Sequence, residues 1–349
     1  MSDSTSPLIS VCIPTYNGHP YIETLITELL RSSRSDFEIV VSDDCSTDET
    51  WDFVVRVSQT DQRLRCFRNE SNLGMDRNFA ACVARARGRF VWLTGQDDRL
   101  FHEGLDAIAA MILARPELDF LHLNYTRVEE AKSDGASIRP VAGDQHQFGV
   151  GIDSFLARTG GWLPTFLPLF VMKRALWEGV DISHYFGTYF CQVGAFVESS
   201  RAIRWCHLDG NYVVGLTPVN GWQFKPLSYA RIVFGNYIML DRVERRCDWL
   251  GPAFIRTQYR KIYDQLVYVL IMLSACRLRV DDPLLEGMKQ AASRVPYVSL
   301  TLRLMLHMPA PLGKLAVLLI KARRVLRRFR SGMQSRLSTR SAAQGAGSS

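Results

Sequence analysis

Three short polar stretches, each following an apolar run, hold the residues able to do chemistry. The stretch GQDDRLF (95–101) ends the run FVWL and sets two carboxylates, Asp97 and Asp98, side by side. Adjacent acids repel, and each raises the other's pKa unless a cation or hydrogen-bond donors intervene. Hard divalent ions such as Mg²⁺ and Mn²⁺ take oxygen ligands, usually one or two carboxylates with water and substrate phosphates completing the shell. Asp98 at a strand end suits that role, with Asp97 available to a ribose or to the metal shell. An ion held there would neutralise charge on a departing diphosphate. The plainer alternative is the polar start of a helix, since Asp-Asp before a helix also occurs by chance.

The second stretch, VVSDDCSTDET, places Asp43 and Asp44 where a strand ends, able to accept from a base N–H or a ribose hydroxyl. Ser46 and Glu49 have the spacing of a capping box, which predicts a helix starting there. The third, CIPTYNG (12–18), supplies hydroxyls, an amide and an aromatic face against which a base could stack; it also reads as an ordinary turn. It lacks the G-x-G-x-x-G of dinucleotide enzymes, which argues against NAD binding.

These stretches need elements to position them. LISVCI, FEIVVS, RLRCFRN, RFVWLT and LDFLHLNY read as strands. They alternate with helix-like segments beginning YIETLITELL, STDETWDF, MDRNFAAC and HEGLDAIA. That alternation predicts a Rossmann-like, mostly parallel sheet with helices on both faces and ligands at the carboxyl ends of the strands. Residues 126–150 read as a loop or irregular hairpin. Strand-like FLPLFVMK and IRWCHL follow, with a helix near 186–198, and residues 226–292 are helical in pattern.

The net charge of +7 is unevenly spread over the 349 residues. No Asp or Glu follows Glu286, while that tail carries twelve Lys and Arg, so residues 1–286 are net acidic by about five charges. This excludes a generally basic, nucleic-acid-coating protein. Eight scattered cysteines without a C-x-x-C pair read as buried thiols in a reducing compartment. The N-terminus shows no basic region followed by an apolar stretch, so a cytoplasmic protein is expected. In 311–333, apolar residues are interleaved with Lys321, Arg323, Arg324, Arg327, Arg328 and Arg330. The segment is too short in apolar length to span a bilayer, and reads as a basic amphipathic helix on an anionic membrane surface. A solvated face or a partner-docking helix is the alternative. Residues 334–349 read as a disordered tail.

In order and spacing, SVCIPTYN, EIVVSDDCSTDET, NLGMDRN and ARGRFVWLTGQDD resemble the nucleotide-sugar-binding half of family 2 glycosyltransferases with the GT-A fold. The likeness covers residues 8–125 and reaches loosely to about 220. In general form it is similar to the abequosyltransferase-like members that build bacterial O-antigen and related polysaccharides. The resemblance implies a donor half over 1–125, an acceptor half over 126–225 and a helical C-terminal region over 226–333. It implies that Pro14, Thr15, Tyr16 and Asn17 line the base pocket and that Asp44 contacts the base. Asp97 and Asp98 match the last two acids of a D-x-D-D pattern, with Asp98 the implied metal ligand. Gly95 stands where the first acid often lies, which thins the metal shell. Arg77 and Asn78 resemble the family's Arg-Asn but lie two residues closer to Asn72, so Arg77 either meets phosphate or pairs with Asp76 or Asp43.

The family's inverting members take the acceptor proton on an Asp or Glu, often in an ED pair. WEGVDISHYFGTYFCQVGAFVESS (177–200) lacks that pair, and Thr188 and Gln192 stand near its place. Asp181, His184 and Glu198 are the nearby titratable groups, each also readable as a surface or structural residue; Asp181 is the first to test. Trp222 in NGWQF offers a face for an acceptor sugar or a core packing residue. The implied activity is transfer of a sugar from a nucleoside diphosphate donor to a hydroxyl of a lipid-linked saccharide, assisted by Mg²⁺ or Mn²⁺, with inversion, at the inner face of the cytoplasmic membrane. An inactive scaffold of the same fold remains open because the base is missing. A nucleotidyltransferase ranks lower, since IPTYNGHP lacks a Gly-rich, Arg/Lys-bearing loop.

Overall fold

The computed structural model describes residues 6–129, 141–217, 225–277 and 283–319. The chain divides into two compact units, one of residues 1–222 and 235–261 and one of 223–234 and 262–349. The first opens with strand β1 (Ile9–Thr15), helix α1 (Tyr21–Leu30), β2 (Phe37–Asp43), α2 (Thr50–Ser58), β3 (Leu64–Arg68), α3 (Met75–Ala84) and β4 (Phe90–Leu93). β1, β2 and β4 are buried along their whole length, as expected of apolar runs covered on both faces. Their order is β3-β2-β1-β4 and every pairing among them is parallel. The chain steps from β1 through α1 and α2 to β3, then returns through α3 to β4. Right-handed crossovers therefore put α1 and α2 on one face and α3 on the other. The order reverses between β1 and β4, which opens a crevice at their carboxyl ends.

Beyond β4 the sheet becomes mixed. A two-residue strand, β5 (Arg99–Leu100), follows the acid pair and leads into α4 (His102–Ala114) and β6 (Phe120–Glu129). Next come β7 (Val141–Ala142), β8 (Gln147–Val150), α5 (Gly151–Arg158), β9 (Phe170–Lys173), α6 (Arg174–Glu178), α7 (Cys191–Ser199) and β10 (Arg204–Thr217). β9 sits between β4 and β6, antiparallel to both, and β10 runs parallel to β6. The expected parallel sheet thus holds for the first four strands. It gives way where a later segment, FVMK, inserts between β4 and β6. Residues 126–150, expected as a loop or hairpin, instead extend β6 to Glu129 and place β7 and β8 antiparallel to β10. Trp222 and its neighbours lie outside the described residues.

The capping box expected at Ser46 and Glu49 is not made. Helix α2 starts at Thr50, with no side-chain cap from Glu49. The Ser46 hydroxyl is instead donated to Asp43 Oδ1 and accepts from Asn17 N. Asp48 Oδ1 accepts from Thr50 N at 3.1 Å and takes over the turn.

Helices α8 (Pro226–Arg246) and α9 (Pro252–Ala275) run through residues of both units. The second unit continues with α10 (Pro283–Ser293), α11 (Pro296–Leu306) and α12 (Ala310–Leu319). Its buried residues include Leu266, Leu270, Met288, Val298 and Leu302, while Leu300, Leu304, Leu315 and Leu318 are more than half exposed. No single helix among the described residues is long and apolar enough to cross a membrane. The pair α11 and α12, bent by 116°, meets the length and composition together. The basic residues 321–330 and the tail 334–349 lie outside the described residues.

Candidate active site

The turn after β1 is joined to the stretch after β4 by Gln96. Its Oε1 accepts from Thr15 Oγ1 at 2.5 Å and from Tyr16 N at 2.8 Å, and its Nε2 donates to Tyr16 O at 3.1 Å. Only glycine fits at residue 18, because a Cβ would stand 2.5 Å from Thr15 Oγ1 and 2.7 Å from Gln96 Oε1. Asn17 takes the left-handed conformation, with φ of 49°. Its N–H reaches Ser46 Oγ and its Oδ1 accepts from Thr47 N, both at 2.9 Å. Pro14 is buried in the strand, while the Tyr16 ring is 46% exposed and free to present a face. Thr15, Tyr16 and Asn17 are thus fixed by the two neighbouring strand ends.

Asp43 and Asp44 are fully buried but differently employed. Asp43 accepts from Ser46 N at 3.1 Å and pairs with Arg68 Nε at 3.3 Å. Asp44 Oδ1 accepts from Asn69 Nδ2 at 2.9 Å and Leu73 N at 2.8 Å, and its Oδ2 from Gly74 N at 3.0 Å. Asp44 therefore shapes the 69–74 loop that leads into α3, with Oδ2 retaining acceptor capacity. Asn78 donates to Ser42 O at 3.0 Å and accepts from Ser42 Oγ at 2.7 Å, tying α3 to the end of β2.

Asp97 and Asp98 follow β4 at the crevice. Asp98 is 7% exposed and Asp97 half-buried. Asp98 Oδ2 accepts from Gly95 N at 3.2 Å. A Cβ at residue 95 would stand 2.8 Å from Asp98 Oδ2 and 3.1 Å from Asp97 Oδ1. The space an acid at 95 would need is thus filled by the carboxylates themselves. Burial pushes the Asp97 carboxyl up, and burial with repulsion from Asp97 pushes Asp98 well up. The Gly95 N–H and the charge of Arg127 act against this. Among the described residues no ion pair reaches either acid. Two crowded oxygen donors without a cation form a donor set that fits a hard divalent ion completed by substrate phosphate.

The titratable groups of the second half lie elsewhere or are engaged. Asp181 is largely exposed and caps the 3₁₀ turn 182–185. Its Oδ1 accepts from Ser183 Oγ at 2.6 Å, which lowers its pKa, and its Oδ2 faces His184 Nε2 at 3.2 Å. Glu198 accepts from Tyr185 OH at 2.6 Å and from Arg246, so it serves as a structural ion pair. Thr188 is buried with its hydroxyl on Tyr185 O at 2.7 Å, and Gln192 is buried with Oε1 unpartnered among the described residues. Arg77 pairs with neither Asp76 nor Asp43; its guanidinium lies over the Phe186 ring at 4.8 Å. Asp76 instead accepts from Tyr189 N at 2.8 Å and Cys191 N at 3.2 Å, anchoring the start of α7 to α3. Burial raises its pKa.

Residues 10–140 match glycosyl transferase family 2. Over 196 residues, 53% of this chain and 59% of the relative, the chain is 29% identical to the abequosyltransferase RfbV of Salmonella typhimurium. It is 32% identical over 103 residues to a GalNAc(5)-diNAcBac-PP-undecaprenol beta-1,3-glucosyltransferase of Campylobacter jejuni, covering 29% of this chain and 33% of the relative. The chain thus spans less than two thirds of either relative. A crystal structure of Staphylococcus aureus TarS overlaps 84% of this chain and 91% of its own, with a TM-score of 0.49 and 20% identity.

Proposed function

We propose, from the match of residues 10–140 to glycosyl transferase family 2, that the protein transfers a sugar from a nucleoside diphosphate donor to a hydroxyl of a saccharide acceptor. The observation that carries the reading is the acid pair Asp97–Asp98, crowded, without an ion pair among the described residues, and held by Gln96 against the turn that would seat the base. In the reaction the acceptor oxygen bonds to the anomeric carbon as the bond to the diphosphate oxygen breaks. The bonding pair stays with the diphosphate, and the hydroxyl proton passes to a base. Asp98, with Asp97, would hold a divalent ion, Mg²⁺ or Mn²⁺, which supplies charge neutralisation for the leaving group. Thr15, Tyr16, Asn17 and Asp44 border the base and ribose. Glu198 is consumed by Arg246 and Tyr185, so Asp181 remains the base to substitute first, with His184 its partner. A lipid-linked acceptor, used by the enzyme as a peripheral protein on the inner face of the cytoplasmic membrane, fits the leucine-rich second unit and the basic residues beyond it. It also fits the PP-undecaprenol in the name of the Campylobacter relative.

The test is donor binding and hydrolysis across UDP-, GDP-, CDP- and dTDP-sugars with and without Mn²⁺. One donor should bind and be slowly hydrolysed only with metal, and Asp98→Asn should lower that turnover at least about a hundredfold. Metal-independent turnover unchanged in Asp98→Asn would overturn the site. Tight donor binding with neither hydrolysis nor transfer would favour the inactive scaffold.

A further inference from the structure

We infer that Arg127 is the cation that meets the donor's diphosphate opposite Asp98; this rests on the sugar-transfer reading and adds a residue to the same site. β5 pairs antiparallel with β10, Leu100 opposite Val213 and Arg99 opposite Val214. Continuing that register by one residue sets Asp98 opposite Gly215. On its other side β10 pairs with β6, and there Gly215 stands opposite Arg127. Asp98 immediately precedes β5, so the extended register brings it to the end of the Gly215–Arg127 row, and residues in one row point to the same face. With strands roughly 4.8 Å apart, the two outer Cα atoms stand about 10 Å from each other. Over that span, a diphosphate held by the acids lies within reach of a long side chain extended from the other end across the Phe166 ring.

Gly215 adds no side chain of its own, and the middle of the row is covered by the Phe166 ring. A Cβ at residue 215 would meet Phe166 Cζ at 2.8 Å, so the Phe166 ring occupies that space. Phe166 lies 4.8 Å from the Tyr125 ring, and the Arg127 guanidinium lies 5.9 Å from the same Tyr125 ring. Tyr125 is 41% exposed, so this aromatic pair opens to solvent. No carboxylate pairs with Arg127 among the described residues, although its charge is felt at Asp98. A guanidinium with free donors, steadied by an aromatic ring, is well suited to bidentate phosphate recognition. Arg77, the cation suggested by the sequence, is instead laid over Phe186.

The experiment titrates the full chain and its Arg127→Ala, Arg127→Lys and Arg77→Ala variants with UDP, GDP, CDP and dTDP in Mn²⁺, alongside the matching monophosphates. For whichever diphosphate binds, Arg127→Ala should weaken binding about tenfold or more, as expected for loss of charge-assisted hydrogen bonds, while monophosphate binding changes little. Arg127→Lys should recover part of the loss, and Arg77→Ala should stay within about twofold of wild type. Thermal melts of Arg127→Ala should match wild type, because the exposed side chain makes no ion pair among the described residues. Wild-type affinity in Arg127→Ala, or a larger loss in Arg77→Ala, would overturn the assignment and leave the sugar-transfer reading standing. Failure of the wild type to bind any of the four would overturn both.

Discussion

Gln96 makes three hydrogen bonds to residues some eighty positions earlier, and each one holds the turn after β1 against the acid-bearing stretch. All three bonds go to Thr15 and Tyr16, so its effect should fall on donor seating. Gln96→Leu should cost about 1 kcal/mol of stability for each hydrogen bond left unmade. It should raise the donor KM about tenfold with a smaller change in kcat, measurable in the hydrolysis assay. A drop in kcat at constant KM would instead place Gln96 in the chemical step. The same geometry accounts for Gly95. A side chain there would collide with the two acids, so the departure from the D-x-D-D pattern is matched by the way Asp98 folds back on the Gly95 N–H.

At the scale of elements, Asp119 locks together the strands that make the sheet mixed. It lies just before β6, pairs with Lys173 at the end of β9 at 2.7 Å and takes Arg204 at the start of β10 at 2.9 Å. Hydrogen bonds from Arg204 and Lys173 outweigh burial and hold its carboxyl down at about 2, below the ordinary 3.8. Because the folded value is the lower one, the stabilisation is fully present above about pH 3.8 and is lost as pH falls through about 2. After allowance for screening at the half-exposed Arg204, Asp119→Asn should cost about 1 kcal/mol at neutral pH. Denaturant melts of the two proteins should converge as pH is lowered from about 4 to about 2. A gap that stays constant across that range would show that the loss is one of packing. The strands that Asp119 joins also carry Gly215 and Arg127, so their alignment bears on the site as well as on stability.

At the scale of the whole molecule, charge and apolar exposure separate along the chain. Residues 1–286 are net acidic, and the positive charge follows Glu286. α11 and α12 expose Leu300, Leu304, Leu312, Leu315, Leu318 and Leu319, just ahead of the basic run. A membrane-surface role for this end predicts that the full chain cosediments with vesicles containing anionic phospholipid, and less so in high salt. Replacing Lys321, Arg323, Arg324, Arg327, Arg328 and Arg330 with glutamine should lower binding by at least about tenfold, since each basic group near such a surface is worth about 1 kcal/mol. Equal binding by the neutralised chain would remove the basic run from the membrane reading.

The alternation of strands and helices through residue 125, and three polar stretches at strand ends, can be read from local patterns alone. Hydrophobic periodicity and turn chemistry are local, and each can be read within a dozen residues. Asp97 and Asp98 were legible as a pair for the same reason. What those residues meet depends on the assembled fold. Gln96 reaches Thr15 across 81 positions, and Arg127 joins Asp98's row only through β10. The expected cap at Ser46 failed because its hydroxyl had better partners in Asp43 and Asn17, one of them on another strand's turn. The insertion of FVMK between β4 and β6 was hidden likewise, since a short apolar strand carries no sign of its neighbours. Pairing over long separations is set by the free energy of the assembled sheet, and no single segment contains it.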